Sequence, residues 1–181
     1  MLKIIKGNLT LENIMIIKLI DNSFYKDDKL TLEWYLKRYS DKNIAFFLMN
    51  EQEIVVGYVT ISNIKKELYD QIKNGNITND LDIDPTLYDI NSKYHYISSI
   101  VIKEPYQKLG YGTKLINRAI KECGSNAIAL TVSLAGYNLM KKVMTLVMNI
   151  DNTKSIFEYR KNLNPHTRSL FIGDIVLPIM K

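Results

Sequence analysis

The stretch Gln107-Lys-Leu-Gly-Tyr-Gly112 decides the fold, because it joins an apolar strand predicted at 94–102 to an amphipathic helix. Glycines at positions 110 and 112 allow the backbone to adopt positive-φ conformations. Main-chain N–H groups that lead into a helix N-terminus form a concave anion site, and the helix dipole adds about half a positive charge there. The stretch therefore predicts a pyrophosphate site. The helix ends at Gly124, and its predicted buried face consists of Leu115, Ile116, Ala119, Ile120 and Cys123.

Three phosphate-binding motifs compete for this loop. A Walker loop requires Gly-Lys-Ser/Thr, but the chain reads Gly112-Thr-Lys114. A dinucleotide fingerprint requires a third glycine where Leu115 stands. The pattern Gln/Arg-x-x-Gly-x-Gly/Ala between a strand and a helix is matched by Gln107, Gly110 and Gly112. This segment, together with the Pro-Tyr approach at 105–106, resembles the GNAT superfamily of N-acetyltransferases.

The rest of the chain predicts a mixed α/β sheet. A strand at 2–6, a helix capped by Thr10, a helix at 31–39 and a hairpin at 44–49 and 53–62 precede the loop, and Gly57 in the hairpin indicates a close backbone approach. A strand at 127–132, a helix at 135–147 and a hairpin at 156–163 and 168–177 follow it. This order resembles the GNAT fold, which implies a mostly antiparallel sheet flanked by helices, with splayed fourth and fifth strands, in one domain spanning 1–181.

Residues 64–93 form a long insert between two strands, with four Lys and six acidic residues for a net charge of −2. A short helix is predicted at 65–73. An EF-hand loop requires Gly and Glu where Pro85 and Asn91 stand, so calcium binding is not expected. Two interpretations remain, a solvated connection or a lid that helps to bind substrate. The aspartates that suggest a calcium loop are Asp80, Asp82 and Asp84.

Composition is typical of a soluble globular protein with a hydrophobic share of 46%. The single cysteine, Cys123, excludes an intramolecular disulfide and a cysteine-rich zinc site, and we interpret it as helix packing. His95 and His166 lie far apart without paired carboxylates, so no metal is expected. The sequence contains no apolar run as long as a signal peptide or a membrane span, so a cytoplasmic location is expected.

The formal net charge of +5 is concentrated around the glycine loop. Residues 103–121 contain five basic residues and one acidic residue, for a net charge of +4. This suits an anionic cofactor, and a solvated basic helix face is the alternative. The 12 tyrosines are scattered without basic–aromatic interleaving, so neither nucleic acid nor a membrane is expected as a partner.

The resemblance implies acetyl-CoA as cosubstrate. Its pyrophosphate is expected on the loop amides, and its pantetheine arm on the backbone of the fourth strand, in the gap beside the fifth. The side chains of Ile100 and Ile102 are expected in the core. The implied cofactor-binding residues are Ile100, Val101, Ile102, Gln107, Lys108, Leu109, Gly110, Tyr111, Gly112, Thr113, Ser133 and Asn138.

The resemblance also implies direct attack of an amine on the thioester, with a tyrosine of the last helix as the acid. Met140 stands at that position, so Tyr137, one turn away, is the candidate, with core packing as its alternative and water as the other proton source. No carboxylate occurs at 94–102, which leaves His95 as the candidate base or a structural residue. Strand alternation is expected to group Ile97, Ser99 and Val101 with His95, opposite Ser98 and Ile100.

The predicted function is transfer of an acetyl group from acetyl-CoA to a primary amine, on a small molecule or on a peptide or protein. The alternative is a GNAT-fold protein that binds CoA but has lost catalysis. The resemblance implies that residues 24–39 and the acidic insert shape the acceptor site, and an acidic lid favours a cationic amine. Whether the chain forms a homodimer is left open.

Overall fold

The computed structural model describes residues 2–24, 30–39 and 43–161. Twelve helices and strands are named here in chain order. They are β1 (Lys3–Asn8), α1 (Leu11–Phe24), α2 (Leu32–Arg38), β2 (Asn43–Met49), β3 (Val55–Ile64), α3 (Lys66–Lys73), β4 (Tyr94–Ile102), α4 (Tyr111–Cys123), β5 (Ala127–Thr131), α5 (Leu134–Met140), β6 (Thr145–Asn149) and β7 (Ser155–Tyr159).

The strands form one sheet in the order β1-β2-β3-β4-β5-β7-β6 within the described residues. Only the β4–β5 pair is parallel, and the other neighbours are antiparallel. This confirms the predicted mixed, mostly antiparallel sheet. None of the described helices has the length and apolar character needed to cross a bilayer.

β4 and β5 splay apart, as predicted. Their parallel pairing runs from His95–Ala127 to Ile97–Ala129 and ends there. Beyond that point β5 continues to pair with β7, up to Thr131 and Ser155. β4 meanwhile stays paired with β3 as far as Ile102, so the two facing edges of β4 and β5 open into a gap.

A β-bulge at Ser98 lies where the gap begins. Thr60 of β3 pairs with Ser99, and the next residue pairs with Ile97, so Ser98 is the extra residue. The Ser98 hydroxyl lies 2.8 Å from that of Thr60, and the Ser99 hydroxyl lies 3.0 Å from that of Tyr58. Both serines therefore face the same side of the sheet.

Because of the bulge, the side chains of β4 do not alternate between the two faces of the sheet as the sequence predicts. Ile97, Ile100 and Ile102 all contact the hydrophobic cluster beneath α4, whereas Val101 packs with α1 and α2 on the opposite face. The expectation that Ile97, Ser99 and Val101 share one face is wrong, because one inserted residue shifts the two-residue period of a strand.

Helices cover both faces of the sheet. The predicted apolar face of α4 is buried, and Gly124 ends that helix at φ +68°. Thr31 caps α2 with its side chain, and Thr10 accepts from the Asn13 N–H at 3.3 Å at the start of α1. A Cβ on Gly57 would lie 2.9 Å from the Val101 carbonyl oxygen, which confirms the close approach of β3 to β4.

The insert packs against the sheet through a hydrophobic cluster that it shares with β4, β5 and β7, and it is not a solvated connection. α3 is the predicted helix, and it buries Leu68 and Ile72 against the sheet. Ile77, Ile83 and Tyr88 further along the insert belong to the same cluster. Apolar residues at these positions hold the insert against β4, β5 and β7.

The C-terminal third departs from the sequence-based expectation. α5 ends at Met140, and residues 145–149 form β6, which pairs with β7. The predicted helix at 135–147 is therefore too long. The apolar residues at 140–148 suit a strand as well as a helix, and pairing with β7 selects the strand. β7 overlaps the first arm of the predicted hairpin, and the second arm, 168–177, lies outside the described residues.

Candidate functional site

The glycine loop presents unpaired main-chain N–H groups in front of α4. Gly110 caps the helix at φ +82°, and Lys108 adopts φ +59°. The N–H groups of residues 108–113 donate no hydrogen bond to any described residue. Amides of this kind at the N-terminus of a 13-residue helix are suited to bind an anion.

Two contacts fix the loop to the end of β4. The Gln107 side chain donates from Nε2 to the Ile102 carbonyl oxygen at 2.8 Å. A Cβ on Gly112 would lie 3.5 Å from the Leu139 side chain and 3.7 Å from that of Ile102. The first turn of α4 therefore lies close to both α5 and the free edge of β4.

The positive charge near the loop is available to a ligand. Lys108, Lys114 and Arg118 are exposed and form no ion pair with the described residues. Lys114 and Arg118 rest on aromatic rings, those of Tyr111 and Phe46 respectively. An anion bound to the loop amides would therefore lie near cationic side chains whose charge no described carboxylate neutralises.

A cavity of about 680 Å³ occupies the gap between β4 and β5. One wall is formed by 97–100 of β4, 130–132 of β5 and the start of α5. The other wall comes from α1, the α2 region and the insert. Its residues are Asp21, Asn22, Leu30, Trp34, Tyr35, Tyr39, Asn79, Asp80 and Leu81.

Asp21 lies in the cavity wall with both carboxylate oxygens hydrogen-bonded. Tyr35 donates to Oδ2 at 2.8 Å, and Tyr58 donates to Oδ1. The Tyr58 hydroxyl is also 3.0 Å from the Ser99 hydroxyl, so this network joins α1 to β4. Burial raises the pKa of Asp21, and the two tyrosine hydrogen bonds oppose that shift.

Asp80 forms a second acidic group in the cavity wall. Its Oδ1 lies 3.2 Å from Nη2 of Arg38 and also accepts from the Tyr96 hydroxyl. Arg38 donates from Nη1 to the Asp80 carbonyl oxygen at 2.7 Å and lies over the Trp34 ring. Asp80 is thus engaged by an arginine and does not belong to a calcium loop.

The predicted cofactor residues lie in three places. Residues 107–113 form the loop, residues 98–102 form the strand edge without a β5 partner, and Ile100 and Ser133 line the cavity. The Ser133 hydroxyl caps α5 by accepting from the Gly136 N–H at 3.1 Å. Asn138 is exposed and is not a lining residue.

The two catalytic candidates do not line the cavity. The Tyr137 ring packs against Phe157, with 5.4 Å between ring centroids. Met140, which stands where the resemblance implies the acid, is buried and lines the cavity. His95 lies in the paired part of β4, where its Nδ1 is 3.0 Å from Oδ1 of Asn63, and burial lowers its pKa.

Cys123 is buried beneath the sheet-facing side of α4. Burial raises the pKa of its thiol to about 12. Only a thiolate is a strong nucleophile, so this thiol is inert at neutral pH. The predicted packing role agrees with its position.

Sequence reasoning missed the acidic and aromatic wall of the cavity. Asp21 follows Ile14 and Ile17 on the buried stripe of α1, where a carboxylate is uncommon. A carboxylate at that position was a signal that the sequence offered. Tyr35 and Tyr39 gave no such signal, because tyrosines on the buried side of a helix are ordinary core residues.

The sequence matches the family model described as "Acetyltransferase (GNAT) family" over residues 13–164. No curated protein sequence matches the chain.

Solved structures with a similar fold cover most of the chain. NAA60 of Arabidopsis thaliana in complex with acetyl-CoA is 13% identical, covers 90% of this chain and 99% of its own, and gives a TM-score of 0.59. The ribosomal-protein-S18-alanine N-acetyltransferase of Escherichia coli is 9% identical, covers 90% and 99%, and gives 0.58. At such identities the similarity establishes the fold.

Proposed function

This chain belongs to the GNAT acetyltransferase family, and from that premise we propose that it transfers an acetyl group from acetyl-CoA to a primary amine. One observation carries the proposal. The gap between β4 and β5 opens into a cavity, and the opposite wall of that cavity comes from α1, α2 and the insert. The glycine loop is held at the end of the same strand β4 by Gln107. We infer that the cofactor and the acceptor meet at this edge of β4. The proposed domain is the single unit 1–181, with residues 64–93 as its insert.

The chemistry of the loop fits the anionic end of acetyl-CoA. We assign the pyrophosphate to the amides of residues 109–113, with Lys108 and Lys114 nearby as cations. The β5-facing edge at 98–102 has unpaired peptide groups for an extended pantetheine arm. NAA60 of Arabidopsis thaliana, which has the same fold, was crystallised with acetyl-CoA.

Catalysis in this proposal rests on positioning and on main-chain polarisation. Acetyl-CoA supplies an activated acyl group, and the cavity aligns the amine with it, which removes much of the entropic barrier. A free N–H on the 98–102 edge of β4 polarises the thioester carbonyl. Because Tyr137 packs on Phe157 and Met140 cannot donate a proton, we assign both proton transfers to water. Water takes the protons that the attacking nitrogen loses as the N–C bond forms, and it protonates the thiolate that leaves as the C–S bond breaks.

A CoA-binding protein without catalysis is the second candidate. It is favoured by Met140 in the cavity wall and by the positions of His95 and Tyr137 outside that wall. Both functions predict that the protein binds CoA, but only the acetyltransferase is expected to turn over an amine.

The deciding experiment incubates the protein with acetyl-CoA and a panel of primary amines and peptides while free thiol is measured. Amine-dependent thiol release supports the acetyltransferase, and Tyr137→Phe and His95→Asn are expected to keep kcat within threefold. Calorimetry with CoA runs in parallel. CoA binding without turnover of any amine supports the second candidate, and absence of CoA binding contradicts both.

A further inference from the structure

We propose that Asp21 is the counter-ion for the acceptor's ammonium group, so the acceptor site selects alkylamines that are cationic in solution. The inference rests on the proposed function, since it assigns a substrate class to the same cavity. It concerns a residue outside the loop and outside β4.

The first argument is the charge balance of Asp21. Asp21 is 8% exposed, and it forms no ion pair with any residue that the structure describes. A buried carboxylate normally has a cationic or metal partner, because the transfer of an isolated charge out of water costs roughly several kcal/mol. Hydrogen bonds from Tyr35 and Tyr58 compensate only part of this cost. The cavity in front of Asp21 is where a cation would complete the balance.

Asp80 supplies an internal comparison. It lines the same cavity, but Arg38 already pairs with it. The acidic insert therefore contributes little free negative charge to the acceptor site, and Asp82 and Asp84 are exposed outside the lining. From the sequence, the insert is expected to attract a cationic amine, and we instead assign that attraction to Asp21 of α1.

The geometry of Asp21 suits an ammonium donor. Each carboxylate oxygen has two acceptor positions, and the tyrosines occupy one on each oxygen. A free position on each therefore remains for N–H groups. The tyrosines also hold the carboxylate in one orientation, and Tyr58 links it to Ser99 on β4, beside the gap.

Aromatic rings next to Asp21 add to the attraction for a cation. Tyr35 and Tyr39 belong to the same cavity wall. The face of an aromatic ring attracts an ammonium group by about 1 kcal/mol or more where water is excluded. The apolar part of an alkylamine would contact the same rings, which a small inorganic cation would not use.

The charge of Asp21 is set by neighbours on three elements. Tyr35 of α2, Tyr39 directly after that helix and Tyr58 of β3 face it. Burial raises the pKa of Tyr39 to about 12 and that of Tyr58 well above its usual value, so both hydroxyls stay neutral at acidic and neutral pH. The Asp80–Arg38 pair lies further along the wall, where burial raises the pKa of Asp80 against the opposing charge of Arg38. Asp21 and Asp80 are therefore both carboxyls of this wall whose ionisation can change the affinity for an ammonium at acidic pH. Of the two, Asp80 has a cationic partner and Asp21 has none among the residues that the structure describes.

The test measures binding to the CoA-loaded protein by thermal shift and calorimetry. The probes are primary alkylammonium ions from methylammonium to phenethylammonium, each paired with the alcohol of the same skeleton. Asp21→Asn is the test variant, and Asp82→Asn, in the exposed part of the insert, is the matched control. We expect Asp21→Asn to weaken ammonium binding at least tenfold and to change alcohol binding less than threefold, with Asp82→Asn like the wild type.

A second measurement compares the pH dependence of the wild type with that of Asp21→Asn, which retains Asp80. Ammonium binding to the wild-type protein should weaken as the pH falls and Asp21 is protonated, and Asp21→Asn should lack this weakening. Alkylammonium ions keep their charge throughout this range, so the change comes from the protein, and alcohol binding should stay constant in both. The inference is overturned if no ammonium ion binds, if Asp21→Asn leaves the ammonium preference intact, or if binding is independent of acidic pH. Ammonium binding that depends on Asp21 without thiol release would contradict the proposed function and support the inference.

Discussion

The Arg38 guanidinium lies 3.2 Å from the Asp80 carboxylate and joins α2 to the insert across one wall of the cavity. The two residues are 42 positions apart in sequence, and Arg38 also donates to the Asp80 carbonyl oxygen. The Arg38 side chain is 4% exposed, so its charge depends on this partner. The shape of the acceptor wall therefore depends on an ion pair as well as on apolar packing.

Asp80→Asn is expected to lower the free energy of unfolding by about 2 kcal/mol, the usual contribution of a hydrogen bond to a charged group. The substitution removes the charge that compensates Arg38 but leaves the main-chain bond in place. Urea unfolding measures the change. Asp82→Asn, two residues away and exposed, should stay within about 0.5 kcal/mol of the wild type. Equal stability of both variants would mean that the ion pair contributes nothing to folding.

Glu158→Gln is expected to lower the free energy of unfolding by about 2 kcal/mol at pH 7, because it breaks a mostly buried ion cluster. Glu158 accepts from Tyr69 at 2.5 Å, Lys73 at 3.0 Å and Arg160 at 2.9 Å. Burial alone would raise its pKa, but these partners together hold the pKa below its usual 4.5. The native state therefore binds fewer protons than the unfolded chain at acidic pH.

It follows that the stabilisation by Glu158 is complete above about pH 4.5 and is lost as the pH falls through its lower native pKa. The difference between wild type and Glu158→Gln should shrink accordingly in urea unfolding below pH 4.5. Glu122→Gln, at an exposed ion pair with Lys6, is the control and should change stability by less than about 0.5 kcal/mol. A difference that is constant with pH would contradict the assigned role.

The fold was predictable where local pattern and tertiary structure agree. α4 has an unambiguous period of 3.6 residues, and Gly110 and Gly124 are needed at positive φ where α4 begins and ends. Residues 140–148 fit two periods equally well, so only the pairing of β6 with β7 decides. The bulge at Ser98 has no glycine or proline to mark it, and it lies where β4 loses β5 as a partner.

The candidate site divides in the same way. The loop was predictable because its chemistry lies within six consecutive residues, 107–112. The cavity was not, because Asp21, Tyr58 and Ser99 come together from three elements through a hydrogen-bond network that no local pattern encodes. The interpretation of the insert as a lid that helps to bind substrate stays a prediction, and Asp80 of the insert does line the cavity. Its pairing with Arg38 could not be predicted, since the two residues lie far apart in sequence.

Gly110→Ala is expected to weaken CoA binding at least tenfold, if the loop amides bind the pyrophosphate as proposed. Gly110 has φ +82°, and a Cβ there would meet no atom within 4 Å, so the cost is backbone strain of about 1 kcal/mol. Relief of this strain would rotate the amides of the loop. Calorimetry with CoA and urea unfolding report affinity and stability separately.

Gly124→Ala is the matched control for that substitution. Gly124 lies at the other end of α4 with equally open surroundings, and its φ of +68° and ψ of −40° lie outside the left-handed helical region that Gly110 occupies, so alanine there is strained at least as much. Gly124→Ala should therefore lose at least as much stability as Gly110→Ala, and only Gly110→Ala should lose affinity. Equal loss of affinity in both would show that the effect comes from the stability of α4 and not from the loop.

Asp21→Asn is expected to stabilise the ligand-free protein at neutral pH, which is the opposite of its expected effect on ammonium binding. Burial raises the pKa of Asp21, so the native state binds more protons than the unfolded chain once the pH exceeds the usual carboxyl value of 3.8. Stability of the wild type therefore falls as the pH rises from that value through the raised native pKa. Asparagine has the same shape and no charge to desolvate, so its advantage should grow over the same interval in urea unfolding. A variant that is less stable than the wild type at pH 7 would show that Asp21 stabilises the fold through its hydrogen bonds with Tyr35 and Tyr58. A variant that is more stable but no longer binds ammonium would show that the carboxylate serves ligand binding at a cost in stability.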